Sequence, residues 1–130
     1  MKPHDVTRVR LTGVFTALVT PFNEKGELDE PALRKLVRRQ VAGGVAGVVP
    51  CGTTGEAVTL DPDEHERVVA VTVEEARTGR RAVRVIAGCG SNDTRKSQKL
   101  AERCRKAGAD ALLVVTPYYN KPTPRGLLEH

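Results

Sequence analysis

Four short runs rich in β-branched residues alternate along this chain with segments of helical periodicity. The runs cover residues 14–20, 45–51, 82–87 and 111–116. The helical segments between them end at Gly44, Gly79 and Gly108, which are 35 and 29 residues apart (79 − 44 and 108 − 79). That interval is the length of one βα unit, and right-handed crossovers then make the strands parallel. The chain is therefore predicted to be an α/β protein of about four βα units.

Capping residues mark the predicted helix ends. The predicted N-caps are Asp29, Asp61, Asp93 or Thr94, and Thr123. Asp61 is followed by a proline and, three positions on, by Glu64, which is the pattern of a capping box. The pair Gly43–Gly44 ends the first helix, since glycine readily adopts the backbone of a helix C-terminus. The helix after Thr123 has only begun when the chain stops, so we expect a piece of a larger protein.

The composition indicates a globular chain with an aliphatic core. Hydrophobic residues make up 39% and charged residues 28%, with two Phe, two Tyr and no Trp. The net charge is +5, but the basic residues are scattered over helical faces without interleaved aromatic residues. This pattern favours a solvated helix surface over a nucleic-acid footprint. No apolar run reaches the ~20 residues needed to span a bilayer. Neither nucleic acid nor a membrane is expected as a partner.

The cysteines indicate a reducing compartment. Cys51, Cys89 and Cys104 form no CxxC motif and have no metal-type spacing with the histidines. An odd number of cysteines without a secretory leader is typical of a cytoplasmic protein whose thiols pack as small hydrophobes. We favour that role over a reactive one for Cys51 and Cys89. No metal site and no cofactor are expected.

A pair of threonines follows the second β-type run. The segment Gly52-Thr53-Thr54-Gly55-Glu56 comes directly after residues 45–51 and just before a helix. The C-terminal end of a parallel strand is where α/β enzymes place reacting groups. Two hydroxyl groups between glycines, near a helix N-terminus, suit catalysis on a small carboxylate. The alternative is a plain turn.

Five short motifs in order resemble one known family. They are LVTPF at 18–22, GTTGE at 52–56, DEH at 63–65, IAG at 86–88 and TPYYN at 116–120. Together they resemble the dihydrodipicolinate synthase family, within the pyruvate-dependent class I aldolases. The resemblance implies a TIM (β/α)8 barrel, of which residues 13–130 would form the N-terminal half, with residues 1–12 as a tail.

The resemblance also implies the chemistry. In that family a lysine forms a Schiff base with pyruvate, and the resulting enamine attacks aspartate semialdehyde in lysine and diaminopimelate biosynthesis. Thr53 would relay protons between two tyrosines, and Tyr119 would be one of them, reaching across the subunit interface of a homo-oligomer. Thr54 and the Gly55 amide would bind the pyruvate carboxylate.

A regulatory cleft is implied only in part. His65, Asn92 and Tyr118 match the family's lysine-sensitive pattern. Lys96 stands where a glutamate would pair with the ammonium group of the effector. A cation at that position repels another, so we expect weak or absent inhibition by lysine.

The Schiff-base lysine itself is not recognisable in this chain. None of its seven lysines lies within a predicted strand. We therefore expect the chain alone to be inactive. A half-barrel also leaves its first and fourth strands without partners, so self-association, or a partly molten state, is expected.

Three alternatives stay open. One is a related aldolase, such as N-acetylneuraminate lyase or a 2-keto-3-deoxy-sugar-acid aldolase, although neuraminate lyases usually carry serine at the position of Thr53. Another is a non-catalytic half-barrel. The third is a doubly wound binding domain, but residues 88–93 lack the last small residue of a dinucleotide-binding fingerprint.

Overall fold

The strands pair in the order in which they occur in the sequence. In the computed structural model, which describes residues 9–79 and 83–130, four strands form one sheet and every neighbouring pair is parallel. The strands are β1 (Phe15–Ala17), β2 (Gly47–Val49), β3 (Arg84–Gly88) and β4 (Ala111–Leu113). Val48 lies opposite Thr16 on one side and Val85 on the other. The predicted parallel α/β architecture is confirmed.

Most strands are shorter than the runs that predict them. β2 ends at Val49 because Cys51 adopts a φ of +55°, which turns the chain out of the extended conformation. β4 ends at Leu113, at the edge of the sheet, where the described residues provide no strand on its outer side. The residue Ala82 of the third run lies outside the described residues, as does the segment 1–8 of the predicted tail.

The helices begin where the caps predict. They are α1 (Glu30–Ala42), α2 (Pro62–Ala76), α3 (Thr94–Lys106) and α4 (Pro124–Glu129). The Asp61 carboxylate accepts from the Glu64 amide at 2.8 Å, and the Glu64 carboxylate accepts from the Asp61 amide at 3.0 Å, which completes the capping box. α2 ends three residues before the predicted Gly79, because the Thr78 amide and hydroxyl both donate to the Glu75 carbonyl.

The three long helices form a single layer. α1 packs against α2, and α2 packs against α3, so these three helices lie on one face of the sheet. Val48 and Val85 are fully buried beneath this layer with Leu33, Val37 and Val69. A doubly wound sheet has helices on both faces and reverses its strand order at a switch point. Among the described residues, the three long helices share one face and the strand order β1-β2-β3-β4 has no reversal, so the doubly wound alternative is wrong.

Edge strand β4 and the residues after it expose apolar side chains. Leu112, Leu113, Val114 and Val115 are each between 40% and 52% exposed. At the other edge, beside β1, Val14 is 65% exposed. No helix within residues 9–79 and 83–130 is long and apolar enough to cross a membrane.

Ion pairs join α1 to α2. Arg34 and Arg38 donate to the Glu75 carboxylate at 2.7 and 2.6 Å, and this carboxylate is almost fully removed from water. Glu30 accepts from Arg67 and Arg34. The bonds from Arg67 and then Arg34 lower the pKa of Glu30 to about 2, and the bond from Arg38 lowers the pKa of Glu75. Both helices are therefore held together by ionised carboxylates.

Acid is expected to destabilise this chain through these two carboxylates. Their folded-state pKa values lie below the ordinary 4.5, so their stabilisation is complete above that pH and is lost as the pH falls toward 2. We expect Glu75→Gln to lower the free energy of unfolding at neutral pH by about 2 kcal/mol and to flatten its dependence on pH. Urea unfolding at neutral and acid pH measures both effects. The control is Glu74→Gln, whose side chain is half exposed; equal losses in the two variants would contradict the prediction.

Candidate active site

The threonine pair lies in a tight turn at the C-terminal end of strand β2. Residues Thr53–Gly55 form one turn of 3₁₀ helix between β2 and α2. Tyr119 follows β4. Since β2 and β4 run in the same direction, Thr53 and Tyr119 both lie at the C-terminal ends of the strands. Within residues 9–79 and 83–130, neither the Thr53 nor the Thr54 hydroxyl is engaged in a hydrogen bond. Both hydroxyls are open to a ligand.

Backbone strain is concentrated in the two loops that carry these residues. Among the described residues, the non-glycine residues with positive φ are Cys51 (+55°), Glu56 (+53°), Tyr119 (+71°) and Lys121 (+47°). The first two flank the threonine turn, and the other two follow β4. Such a conformation costs a side chain on the order of 1–2 kcal/mol. Strain of this kind accumulates at functional sites, where the surrounding structure holds it.

Gly55 is required for close packing. A Cβ atom added to it would lie 3.0 Å from the Leu18 carbonyl oxygen and 3.3 Å from the Thr20 hydroxyl oxygen. The Thr20 hydroxyl donates to the Gly55 carbonyl at 2.7 Å. The Gly55 amide already donates to the Gly52 carbonyl at 3.1 Å. The amides of Thr53 and Thr54, the first two in the turn, have no such partner among the described residues.

A cavity of about 380 Å³ opens between the loops that follow β2, β3 and β4. Thr53 lines it, whereas Thr54 and Gly55 do not. Its walls are mainly apolar, and the other lining residues include Glu56, Val58, Cys89, Leu113, Val115 and Tyr118. A cavity of this size with two hydroxyl-bearing side chains, Thr53 and Tyr118, and one carboxylate in its wall suits a small polar organic molecule.

The two tyrosines point to different places. Tyr118 lines the cavity and is 41% exposed, whereas Tyr119 is 93% exposed and does not line it. Tyr119 is also the residue with the largest positive φ of the four strained positions. The structure therefore directs the Tyr119 ring away from the chain's own cavity.

His65 lies in a second, smaller cavity of about 30 Å³ with Lys96 and Tyr118. Its Nε2 contacts the Gly88 carbonyl oxygen at 2.8 Å, so Nε2 carries the proton, and Nδ1 is buried without a partner among the described residues. Burial lowers the pKa of His65, and the charges of Arg103 and Lys96 lower it further. Asn92 does not line this cavity; its carbonyl accepts a bond from Asn120.

The three cysteines are buried, free thiols. Burial raises the pKa of Cys51 and Cys89, and it raises the pKa of Cys104 to about 12. A thiol with a raised pKa is a poor nucleophile. Across the described ranges, no group of three or more His, Cys, Asp or Glu side chains could hold a metal ion.

Sequence reasoning missed two features of this site. It did not identify Cys51 and Glu56 as strained residues, because no glycine or asparagine occupies either position. It also missed Gly88, where an added Cβ atom would lie 1.9 Å from the Cys51 carbonyl oxygen. The only available signal was a glycine at the end of a β-type run, which is compatible with many kinds of turn.

Comparison with known proteins gives consistent matches. A family model described as the dihydrodipicolinate synthetase family matches residues 10–130. The 4-hydroxy-tetrahydrodipicolinate synthase of Rhodopseudomonas palustris (strain BisA53) is 61% identical over 118 residues, which are 91% of this chain and 38% of that protein. The structure of dihydrodipicolinate synthase from Aquifex aeolicus superimposes with a TM-score of 0.86 at 46% identity, covering 92% of this chain and 40% of that one.

A more distant match has the same fold. CdNal from Clostridium difficile, solved in complex with mannosamine, superimposes with a TM-score of 0.85 at 28% identity and covers 93% of this chain and 41% of that one. The chain thus spans about 40% of the length of the proteins that it matches.

Proposed function

This chain belongs to the dihydrodipicolinate synthetase family, and from that premise we propose that it supplies the N-terminal part of a 4-hydroxy-tetrahydrodipicolinate synthase. That enzyme would condense pyruvate with aspartate semialdehyde through a lysine Schiff base. The observation that carries the proposal is the strained threonine turn, which lies beside a cavity and at the same edge of the sheet as Tyr119. The 61% identity to a protein named 4-hydroxy-tetrahydrodipicolinate synthase favours the synthase over the other aldolases.

Thr53 is the proton relay in this proposal. A hydroxyl group can donate and accept at once, which is what a relay between two phenols needs. Its open hydroxyl at the cavity wall supports that role. Tyr119 supplies one of the phenols, and its 93% exposure supports a place in the active site of a neighbouring subunit of a homo-oligomer.

In this proposal Thr54 holds the pyruvate carboxylate, and Gly55 shapes the turn that carries Thr54. The Thr54 hydroxyl is free to donate to the carboxylate. The Gly55 amide is engaged within the turn, so Gly55 contributes through the close packing that shapes the turn, and the amides of Thr53 and Thr54 are the donors available to an anion. The cytoplasm is the proposed location, which the three free thiols support.

The covalent step requires a lysine from outside the described residues. The six described lysines are all exposed, and none lies on a strand, whereas Lys2 lies outside the described residues. A nucleophilic lysine needs a desolvated or otherwise perturbed amine. Treatment of the chain with pyruvate and borohydride is therefore expected to leave its mass unchanged. A stable adduct on any of its own lysines would overturn this expectation.

A chimera tests the proposed function directly. It joins this chain to the remaining C-terminal part of the Rhodopseudomonas palustris relative. We expect the chimera to form the pyruvate adduct and to catalyse the condensation. Thr53→Val is expected to lower kcat roughly 100-fold or more, because the proton relay is lost, while Thr53→Ser retains most of the activity. Thr54→Val is expected mainly to raise the KM for pyruvate. A chimera that folds but forms no adduct would contradict the proposed function.

We propose that the cavity lined by His65 and Tyr118, with Asn92 next in sequence to the lining residue Ser91, is a lysine-binding cleft whose affinity for lysine is weak. The Lys96 cation beside His65 supports this, since an ammonium ligand would be repelled there. We expect the chimera to keep its activity in millimolar lysine and Lys96→Glu to make it sensitive. Lys96→Gln, which removes the charge without reversing it, is the control. Inhibition of the unaltered chimera at sub-millimolar lysine would contradict the proposal.

A further inference from the structure

Tyr119 lies in an unusually tight turn. The Asn120 amide donates to the Tyr118 carbonyl at 2.9 Å, which closes a three-residue turn around Tyr119. With a φ of +71°, Tyr119 has the backbone of the classic γ-turn, which is the rare and strained form. Lys121, on the other side of Asn120, also has a positive φ. Something outside the turn must hold this segment in place.

The Asn120 side chain bonds this segment to the neighbouring loop. Its Nδ2 donates to the main-chain carbonyl of Asn92 at 3.1 Å. Within residues 9–79 and 83–130, no other side-chain hydrogen bond joins the loop of residues 114–123, here the β4 loop, to the loop between β3 and α3. The Tyr119 ring is almost fully exposed and cannot anchor the turn by burial.

The acceptor side of this bond is rigid. The Ser91 main chain is held by two hydrogen bonds. Its amide donates to the Ser97 hydroxyl at 2.9 Å, and that hydroxyl donates to the Ser91 carbonyl at 3.2 Å. The Asp93 carboxylate caps α3 through the Lys96 amide at 3.1 Å. Asn92 therefore lies between two residues that are fixed to the N-terminus of α3.

The two loops also approach each other closely at a second point. A Cβ atom added to Gly90 would lie 2.3 Å from the Val115 amide nitrogen. This contact sets the distance between the start of the β4 loop and the end of β3. The bond from Asn120 sets the distance farther along the same loop, at the turn that carries Tyr119.

We propose that Asn120 is a positioning residue. The hydrogen bond from its side-chain amide to the Asn92 carbonyl fixes the β4 loop and thereby holds Tyr119 in the strained turn from which its phenol projects. This rests on the proposed function in that the Tyr119 phenol is the group being positioned. Without this hydrogen bond, Tyr119 relaxes to a negative φ, and its ring no longer has one fixed orientation.

The chain offers a specific readout, because it has two tyrosines and no tryptophan. In a Tyr118→Phe background, tyrosine emission comes from Tyr119 alone, and its anisotropy decay reports the mobility of that ring. A strong nuclear Overhauser effect between the amide and α protons of Tyr119 reports its positive φ. Neither signal depends on catalysis.

Four substitutions separate the effect of the Asn120–Asn92 hydrogen bond from effects on general stability. Asn120→Ala removes the donor, and Asn120→Asp keeps the shape but only accepts; both are expected to lose the Overhauser signal and to speed local depolarisation several-fold. Asn120→Gln keeps the donor and is expected to restore part of both signals. Asn92→Ala is the matched control, since the acceptor is a main-chain carbonyl that survives the change. Unaltered signals in Asn120→Ala and Asn120→Asp would overturn the proposal.

The chimera tests the consequence for catalysis. Asn120→Ala is expected to lower kcat at least ten-fold with little change in the KM for pyruvate, because a misplaced phenol slows proton transfer without weakening binding. An unchanged kcat in a variant that has lost the Tyr119 signals would overturn the positioning role. A chimera that is inactive with all residues unaltered counts against the proposed function instead, and the spectroscopic result then decides the role of Asn120.

Discussion

Sedimentation of the 130-residue chain is expected to show reversible, concentration-dependent association rather than a monomer. β1 and β4 are the edges of the described sheet, and an unpaired parallel edge presents a row of free main-chain donors and acceptors. Residues 111–118 and 14–22 beside these edges contain no charged side chain, although charged residues make up 28% of the chain. If a two-fold axis relates two copies and runs along the axis of the barrel that they would form together, β4 of each copy lies beside β1 of the other, with all strands parallel.

A charge at the edge tests this association. Val114→Lys, at a position that is 52% exposed beside β4, is expected to weaken the association at least ten-fold, because the charge would have to be desolvated at the seam. Leu128→Lys is the control, since it makes the same kind of change at an 89% exposed position on α4 and not beside a strand in the sequence. A compact monomer at all concentrations would contradict the prediction, and so would equal effects of the two variants.

Gly88→Ala is expected to have the largest effect of any single methyl group added to this chain. An added Cβ atom would lie 1.9 Å from the Cys51 carbonyl oxygen and 2.6 Å from its carbonyl carbon, so backbone would have to move. β2 and β3 would separate at their C-terminal ends, where the threonine turn lies. We expect a loss of about 3 kcal/mol or more in the free energy of unfolding, which lowers Tm by roughly 10 °C or more.

Gly52→Ala is the control for this substitution. Gly52 has a φ of −82°, which alanine adopts freely, and an added Cβ atom would meet nothing within 4 Å. Gly88 is the last residue of β3, and Gly52 lies in the loop after the neighbouring strand β2, so the comparison isolates the close approach from the general effect of replacing glycine. Thermal unfolding followed by circular dichroism measures both. Similar Tm values for the two variants would contradict the assigned role of Gly88.

The elements of this fold could be predicted because their signals are local. Asp61 and Glu64 form the capping box that their spacing indicates, since the bonds join residues three positions apart. The strand order was also predictable, because consecutive βα units with right-handed crossovers place each strand beside the previous one. Strand ends were harder to predict, since Leu113 ends β4 through the lack of a neighbour and not through its own chemistry.

The candidate site could be predicted in position but not in conformation. A pair of hydroxyl residues after a β-type run placed Thr53 at the edge of the sheet. Gly52 and Gly55 flank the pair in the sequence, yet the positive φ values of this segment fall on Cys51 and Glu56. Gly55 is instead needed because the Leu18 carbonyl lies against it. Such a contact joins residues 37 positions apart (55 − 18), and no local pattern encodes it.

The ordered succession of the strands has a consequence for synthesis on the ribosome. Within the described sheet, each strand after β1 pairs with the strand made before it, so this pairing does not have to wait for a distant part of the polypeptide. Contacts between near segments are the ones that form fastest. The sheet can therefore grow strand by strand as the nascent chain emerges, with the threonine turn and its cavity assembled early.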